Sequence, residues 1–218
     1  MTEAVTLKLE KKQEGVKPAL QGRSKHRRDE LIHAGMKLLC EKSMNDISII
    51  ELTAACGYSV GTFYSRFEDK QSFFRAIQET AITHRLELFE AEFSDPKWKT
   101  ASPEEIFAHL VNNTVDFIDG SWRGVVKESI LGSCTNTEIW EPLRLGGRKI
   151  SNVIVDLLEP HFLDDNPEES RDSVKFGMQM FFGTIVQAAL NNPGPVRLED
   201  KQFRENLTRM LTLYSKLK

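Results

Sequence analysis

The chain has 218 residues, with 29 Lys and Arg against 32 Asp and Glu, a net charge of −3, 40% hydrophobic and 28% charged residues. No apolar run approaches the roughly 18 residues that a membrane span needs, and no apolar segment follows Lys8, Lys11 and Lys12 as a secretory signal would require. Cys40, Cys56 and Cys134 match no zinc spacing and cannot all pair, so they read as buried, reduced thiols of a cytoplasmic protein.

The length suits one large or two small domains. Charge is unevenly shared: residues 1–75 carry a net +3 and residues 76–218 a net −6. A basic N-terminal part on an acidic whole points to a division of labour, with the polyanion-facing work at the front. Residues 1–22 are polar, contain Gly15, Pro18 and Gly22 and hold no period, and are expected to be a mobile arm. Arg23, Lys25, Arg27 and Arg28 close it; they are either the solvated start of a helix or a strip that lies along phosphates and releases counterions.

Ser24 is a plausible cap for a first helix over about Lys25 to Glu41, with Leu31, Ala34, Leu38 and Leu39 as its core stripe. Asn45 and Asp46 break the chain. The next stretch, Ser48 to Lys70, reads SIIELTAACGYSVGTFYSRFEDK and is the one around which the rest is organised. Ser48 with Glu51 three residues on predicts a capping box. Ile49, Leu52, Thr53 and Cys56 follow at helical spacing, and Gly57 ends the helix because glycine alone takes the left-handed conformation cheaply. Ser59 is a second cap, and Phe63 and Phe67, four apart, predict the buried side of a second short helix. Val60, Gly61, Thr62, Tyr64 and Ser65 are left facing out.

Helix, tight turn, helix is the plan of a helix-turn-helix, whose second helix enters a DNA major groove. An ordinary helical hairpin is the competing reading. The outward face speaks against it, because it lacks the Glu and Lys of a plain surface helix and offers small residues and hydroxyls that can approach phosphates and base edges.

This stretch resembles the DNA-binding segment of TetR-family transcriptional regulators. The matching pieces are Ala55-Cys56-Gly57, Ser59, Gly61-Thr62-Phe63-Tyr64, Phe67 and Lys70, within about Lys25 to Ala76. The resemblance implies an all-α protein of about nine helices, with a helix-turn-helix DNA-binding domain over 23–75 and a larger ligand-binding and dimerisation domain over 76–218. It further implies that Ser59, Gly61 and Thr62 lie nearest the bases, and that Ser48, Tyr64, Lys70 and the Lys25/Arg27 end of the first helix hold phosphates. Val60 stands where such regulators often have a polar residue, and could meet a thymine methyl. Arg66 stands where an aromatic or His is frequent, and could add a phosphate contact.

Asp69 predicts the cap of a long fourth helix carrying Phe73, Phe74, Ile77, Ala81, Leu86, Leu88 and Phe89, ended by Ser94-Asp95-Pro96. After a loop from Trp98, the cap Ser102, Pro103 and Glu105 open a strongly apolar helix stopped by Gly120. A short helix near Trp122 to Leu131 and a longer one over Trp140 to Leu158 follow, the latter with Gly146-Gly147 as a possible kink. A pocket among the fourth to eighth helices is expected to be lined by Phe107, Val111, Phe117, Trp122, Trp140, Met178, Phe181 and Phe182, an aromatic and mostly uncharged wall suited to a flat or greasy ligand.

The eighth helix is apolar around much of its circumference and the ninth carries a clean stripe ending in Leu217. Two wide apolar faces suggest a homodimer built as a four-helix bundle, with Val174, Gly177, Phe181, Ile185, Phe203, Leu207, Leu211 and Tyr214 at the interface.

No nucleophile elbow, Walker loop, dinucleotide fingerprint or His-Glu-x-x-His occurs, so neither catalysis nor a cofactor nor a metal is expected. The function that the residues and the resemblance together support is a sequence-specific transcriptional regulator, a repressor by family expectation. It would bind double-stranded DNA at a palindromic operator as a homodimer and be released by an unidentified small molecule. An architectural DNA binder without a ligand, or a helical carrier or enzyme using its N-terminal domain for assembly, are the alternatives.

Overall fold

The computed structural model describes residues 22–218 except Pro193, so the arm expected at 1–22 lies, but for Gly22, outside the described residues. Among the described residues there are nine α-helices and no strand. They are α1 (Gly22–Leu39), α2 (Ile49–Ala55), α3 (Val60–Tyr64), α4 (Lys70–Phe93), α5 (Pro103–Asp119), α6 (Arg123–Ser133), α7 (Glu141–Leu158), α8 (Pro167–Asn191) and α9 (Lys201–Tyr214). Three one-turn 3₁₀ segments join them, at Pro96–Lys99, Thr137–Trp140 and Glu159–His161.

Two apolar cores form. The first gathers Leu31, Ile32, Met36 and Leu39 of α1, Leu52 of α2, Phe63 and Phe67, and the Phe73, Phe74, Ile77 and Ala81 end of α4. The second begins at Phe89 of the same helix and takes in α5 to α9. α4 therefore belongs to both, and the 75/76 division drawn from the sequence falls inside it. α4 is set going by a capping box in which Asp69 accepts from the Ser72 amide and Ser72 Oγ accepts from the Asp69 amide. α5 starts in the same way from Ser102 and Glu105, with Pro103 in its first turn, as its sequence predicts.

Four local expectations are corrected. Ser48 Oγ does accept from the Glu51 amide at 3.0 Å, but the Glu51 carboxylate turns to Lys42 Nζ at 2.6 Å instead of closing the box, because a full opposite charge outcompetes a backbone amide. The loop expected from Trp98 contains a one-turn helix with a buried anchor: Trp98 is packed against Phe93 and donates its indole N–H to the Glu92 carbonyl. α7 runs without interruption through Gly146-Gly147, where a Cβ on Gly146 would meet Ile82 of α4 at 3.3 Å. The thiols are free, yet Cys40 and Cys134 are exposed and only Cys56 is partly covered; a lone Cys carries no periodicity that would tell its face.

The two units are locked where α6 crosses α1. A Cβ built on Gly124 would lie 2.1 Å from the Leu39 carbonyl oxygen, so only glycine permits this approach. Beside it, Gln78 of α4 donates to Ser129 Oγ of α6 at 2.7 Å and to the Ile139 carbonyl at 2.9 Å.

Candidate nucleic-acid interface and ligand cavity

The second half of the helix-turn-helix is only one and a half turns long, too short to hold itself. Its support is aromatic. Phe63, on α3, and Phe67, just past it, are fully buried beside Phe73 of α4, with ring centroids 4.9 to 5.4 Å apart in tilted and edge-on arrangements. Burying each ring is worth about 1.5–3 kcal/mol, with a further increment from the edge-to-face geometry. Gly57 makes the turn at φ +70°; its own amide donates to the Ala54 carbonyl, and those of Cys56 and Tyr58 donate to the Thr53 carbonyl.

With the phenylalanines inward, Ser59, Val60, Gly61 and Tyr64 stand exposed and Thr62 half-buried. Ser59 caps no amide with its side chain; its Oγ lies 3.2 Å from Thr62 Oγ1. Ser48 is exposed at the start of α2, and Lys25 and Arg27 are exposed on α1, the Arg27 guanidinium over the Tyr58 ring. Tyr58 in turn donates its hydroxyl to Glu30. Lys70 is half-buried with Nζ on the Asn45 carbonyl at 3.1 Å.

Arg66 corrects the sequence reading. It is 8% exposed, and its guanidinium donates to the Thr62 carbonyl and to Ser65 Oγ, at 2.8 and 2.6 Å, and to the Ser24 carbonyl at 3.4 Å. It is a clamp tying the end of α3 to the start of α1, not a free hand for phosphate. The clamp joins the start of α1, at Ser24, to the end of α3, which spacing alone could not indicate.

The cavity lies among α4, α5, α6, α7 and α8 and has a volume of about 420 Å³, within the roughly 300–1,000 Å³ of small-molecule sites. Of the residues expected on its wall, Phe117, Trp140 and Phe182 are there. Phe107, Val111, Met178 and Phe181 are not: each is at most 1% exposed within the second core, where α5 and α8 both pack against α9. Trp122 packs instead toward the first core, stacked on Phe117 and near His84.

The wall is also less neutral than expected, since it includes Arg85, Arg144, Arg148 and Lys175. Arg85 was legible in principle. It interrupts the four-residue series Ile77, Ala81, Phe89, Phe93 on the buried side of α4, and a charge on such a series calls for a partner. Burial pushes its guanidinium pKa down while Glu92, 4.0 Å away, opposes the shift. His109 lies nearby between Trp98 and Asn113, and burial pushes its pKa below the usual histidine value against the opposing pull of Glu92.

The expected dimer residues are corrected in position. Val174, Gly177, Phe181, Ile185, Phe203, Leu207 and Leu211 are all buried within one chain, where α8 and α9 pack together and α9 lies on α5. A Cβ on Gly177 would already touch Leu211. Only Tyr214 is on the outside. The exposed apolar face is the next one round: Phe176 and Met180 of α8 with Tyr214 of α9, each 45–49% exposed, Phe176 and Tyr214 in ring contact. A helix apolar on two sides declares both in its sequence but not which one turns inward.

Among the described residues no helix is long and apolar enough to cross a membrane, and no three His, Cys, Asp or Glu side chains gather as a metal site.

With this geometry in view, similarity to known proteins is informative. The family of bacterial regulatory proteins, tetR family, matches residues 31–77, the span of the helix-turn-helix and its bracing helices. An uncharacterised HTH-type transcriptional regulator of Bacillus subtilis, YvdT, is 30% identical over 59 residues, which is 27% of this chain and 30% of that protein. Over most of the chain the similarity is one of fold. A tetR-family regulator from Streptomyces coelicolor superposes with a TM-score of 0.67 at 17% identity, over 87% of this chain and 79% of the other. FadR from Bacillus subtilis, solved with stearoyl-CoA, gives 0.63 at 16% identity over 84% and 96%.

Proposed function

We propose that this chain is a regulator of the TetR type, a reading supported by the family match over its N-terminal domain, and that it is a cytoplasmic repressor that binds a palindromic operator as a homodimer and releases it when a small molecule fills the cavity. The observation that carries the reading is the exposed tip of α3, held outward by three interlocked phenylalanines. Ser59, Val60, Gly61 and Thr62 are assigned to base edges. Ser48, Tyr64, Lys25, Arg27 and Lys70 are assigned to phosphates, Lys70 by leaving its carbonyl partner. Arg66 positions both groups.

The face of Phe176, Met180 and Tyr214 is assigned to the second copy. A two-fold axis there presents two α3 tips, and a palindrome with half-sites one DNA turn apart, about 34–36 Å, is the matching target. The FadR structure holds stearoyl-CoA; here the effector is assigned to the cavity. Its route to DNA is short. Ile82, Arg85 and Leu86 of α4 and Val126 of α6 line the cavity, the same two helices are tied to each other by Gln78 and Ser129, and they grip the N-terminal unit through Phe73, Ile77 and Gly124. A ligand that parts α4 from α6 shifts the dimer between DNA-competent and incompetent separations, to the extent of its differential affinity for the two.

Selection of bound sequences from a random DNA pool tests the reading. A palindromic consensus bound with steep salt dependence supports it. Binding indifferent to sequence would leave only an architectural role, and no binding by folded protein would refute it.

A further inference from the structure

The wall of the cavity is electrostatically one-sided. Three arginines and a lysine line it, and no Asp or Glu does. Two of the four have counter-charges of their own: Arg144 forms a two-pronged pair with Glu141, and Lys175 lies 3.8 Å from Asp172. Arg85 is placed differently. Its side chain is 6% exposed, and its guanidinium carbon stands 5.3 and 5.9 Å from the Phe89 and Phe117 rings. Nη1 reaches toward Glu92 at 4.0 Å, but that carboxylate is shared with Asn113 Nδ2 at 2.6 Å and His109 at 3.7 Å. Among the described residues Nη2 is buried with no hydrogen-bond partner.

A second orphan sits on the facing helix. Thr114 Oγ1, one turn before Phe117 on α5 and also on the cavity wall, is buried and unpartnered. Buried polar groups are nearly always satisfied, and a charged donor left without an acceptor is costly. Two such groups on one wall of a cavity, both donors, describe the shape of a missing acceptor. Around them Ile82, Leu86, Ile118, Val126, Ile150 and Phe182 offer only hydrocarbon.

We infer that the cavity takes an amphipathic anion: an apolar chain or fused-ring body carrying one terminal carboxylate or phosphate. Resting on the assignment of the cavity as the effector site, this names the chemical class of the effector. The head group accepts from Arg85 Nη2 and Thr114 Oγ1, while the body lies along the apolar wall. Arg144, Arg148 and Lys175 add a positive potential that draws the anion in.

The test uses the full chain and four probes of one chain length, each below its micelle concentration: dodecanoate, dodecyl phosphate, dodecanol and dodecylamine, followed by calorimetry and by the fluorescence of Trp140 on the wall. At least one of the two anions binds more than about tenfold tighter than the alcohol, the better one identifying the head group, and the amine binds no better than the alcohol. Arg85→Gln loses about ten- to a hundredfold in affinity for that anion, and little for dodecanol. Arg85→Lys recovers part of the loss. Should Arg85→Gln misfold by circular dichroism, the near-isosteric Thr114→Val takes its place, with the same selective loss expected. The inference is overturned if neither anion binds, if the alcohol or amine binds as tightly, or if the folded variants keep full affinity for the anion. Operator binding is measured separately in the presence of the anion. Tight, Arg85-dependent anion binding that leaves DNA affinity untouched refutes the effector role and keeps the site. DNA release by a neutral compound in the same cavity does the reverse.

Discussion

Gly124 offers the sharpest test of how the two units are joined. Replacing it by Ala puts a Cβ 2.1 Å from the Leu39 carbonyl oxygen and 2.6 Å from the Cys40 amide nitrogen. Both are backbone atoms at the end of α1, so no rotamer change relieves the overlap, and α6 must back away until the gap exceeds the 3.0 Å that real Cβ contacts observe. In a core packed as densely as an organic crystal, such overpacking costs about 1–3 kcal/mol, and the upper half of that range applies because backbone has to move. For a chain of this length the melting temperature falls by about 4–12 °C. On the proposed function the same displacement loosens the link from cavity to α1, so operator affinity is expected to fall and the response to effector to weaken. Gly147→Ala is the control: it is also helical, its nearest neighbour is the Phe182 ring at 3.8 Å, and it gains about 0.5–1 kcal/mol from helix propensity. Calorimetric melts of the two variants therefore move in opposite directions. Equal or same-sign shifts would refute the claim that α6 and α1 meet backbone to backbone.

Three further outcomes are expected. Arg66→Gln lowers operator affinity without changing the slope of log affinity against log salt, because the residue is buried and clamps Ser24 to Thr62; Lys25→Ala reduces that slope by about one unit; a reduced slope in the Arg66 variant would restore it as a phosphate contact. Phe176→Asp together with Tyr214→Ser places charge and polarity on the free apolar face and shifts the protein from dimer to folded monomer in analytical ultracentrifugation, with loss of operator binding; an unchanged dimer would place the interface elsewhere. His109 is held neutral by burial, which outweighs the pull of Glu92, so its folded-state pKa is depressed. The stability it secures is complete above the ordinary histidine value of about 6.5 and is lost as pH falls through the lower folded value, where the unfolded chain binds the proton more readily. A denaturation series from neutral to mildly acidic pH shows this loss, and His109→Gln flattens it. An unaltered pH dependence in the variant would show that His109 is not the group responsible.

The helix-turn-helix was readable residue by residue because its information is local. Caps at Ser48, Asp69 and Ser102 act within four residues, Gly57 is required by its own φ, and Phe63 and Phe67 lie on one side by spacing alone. The class of the fold and the helix order followed from the same short-range rules. What spacing could not settle were choices between equivalent faces and partners. α8 has two apolar sides, and the sequence pointed to the one that α9 occupies within the chain; the side left free was decided by where α9 docked. Phe107 and Val111 looked like pocket wall and became core, while Arg85, a charge lodged in an apolar series, became wall. Arg66 and Glu51 found partners 42 and 9 residues away. Periodicity records that a face must be covered, since hydrophobic burial is non-directional. Which neighbour covers it, and which gaps remain as a cavity, depends on long-range packing that no window of local sequence contains.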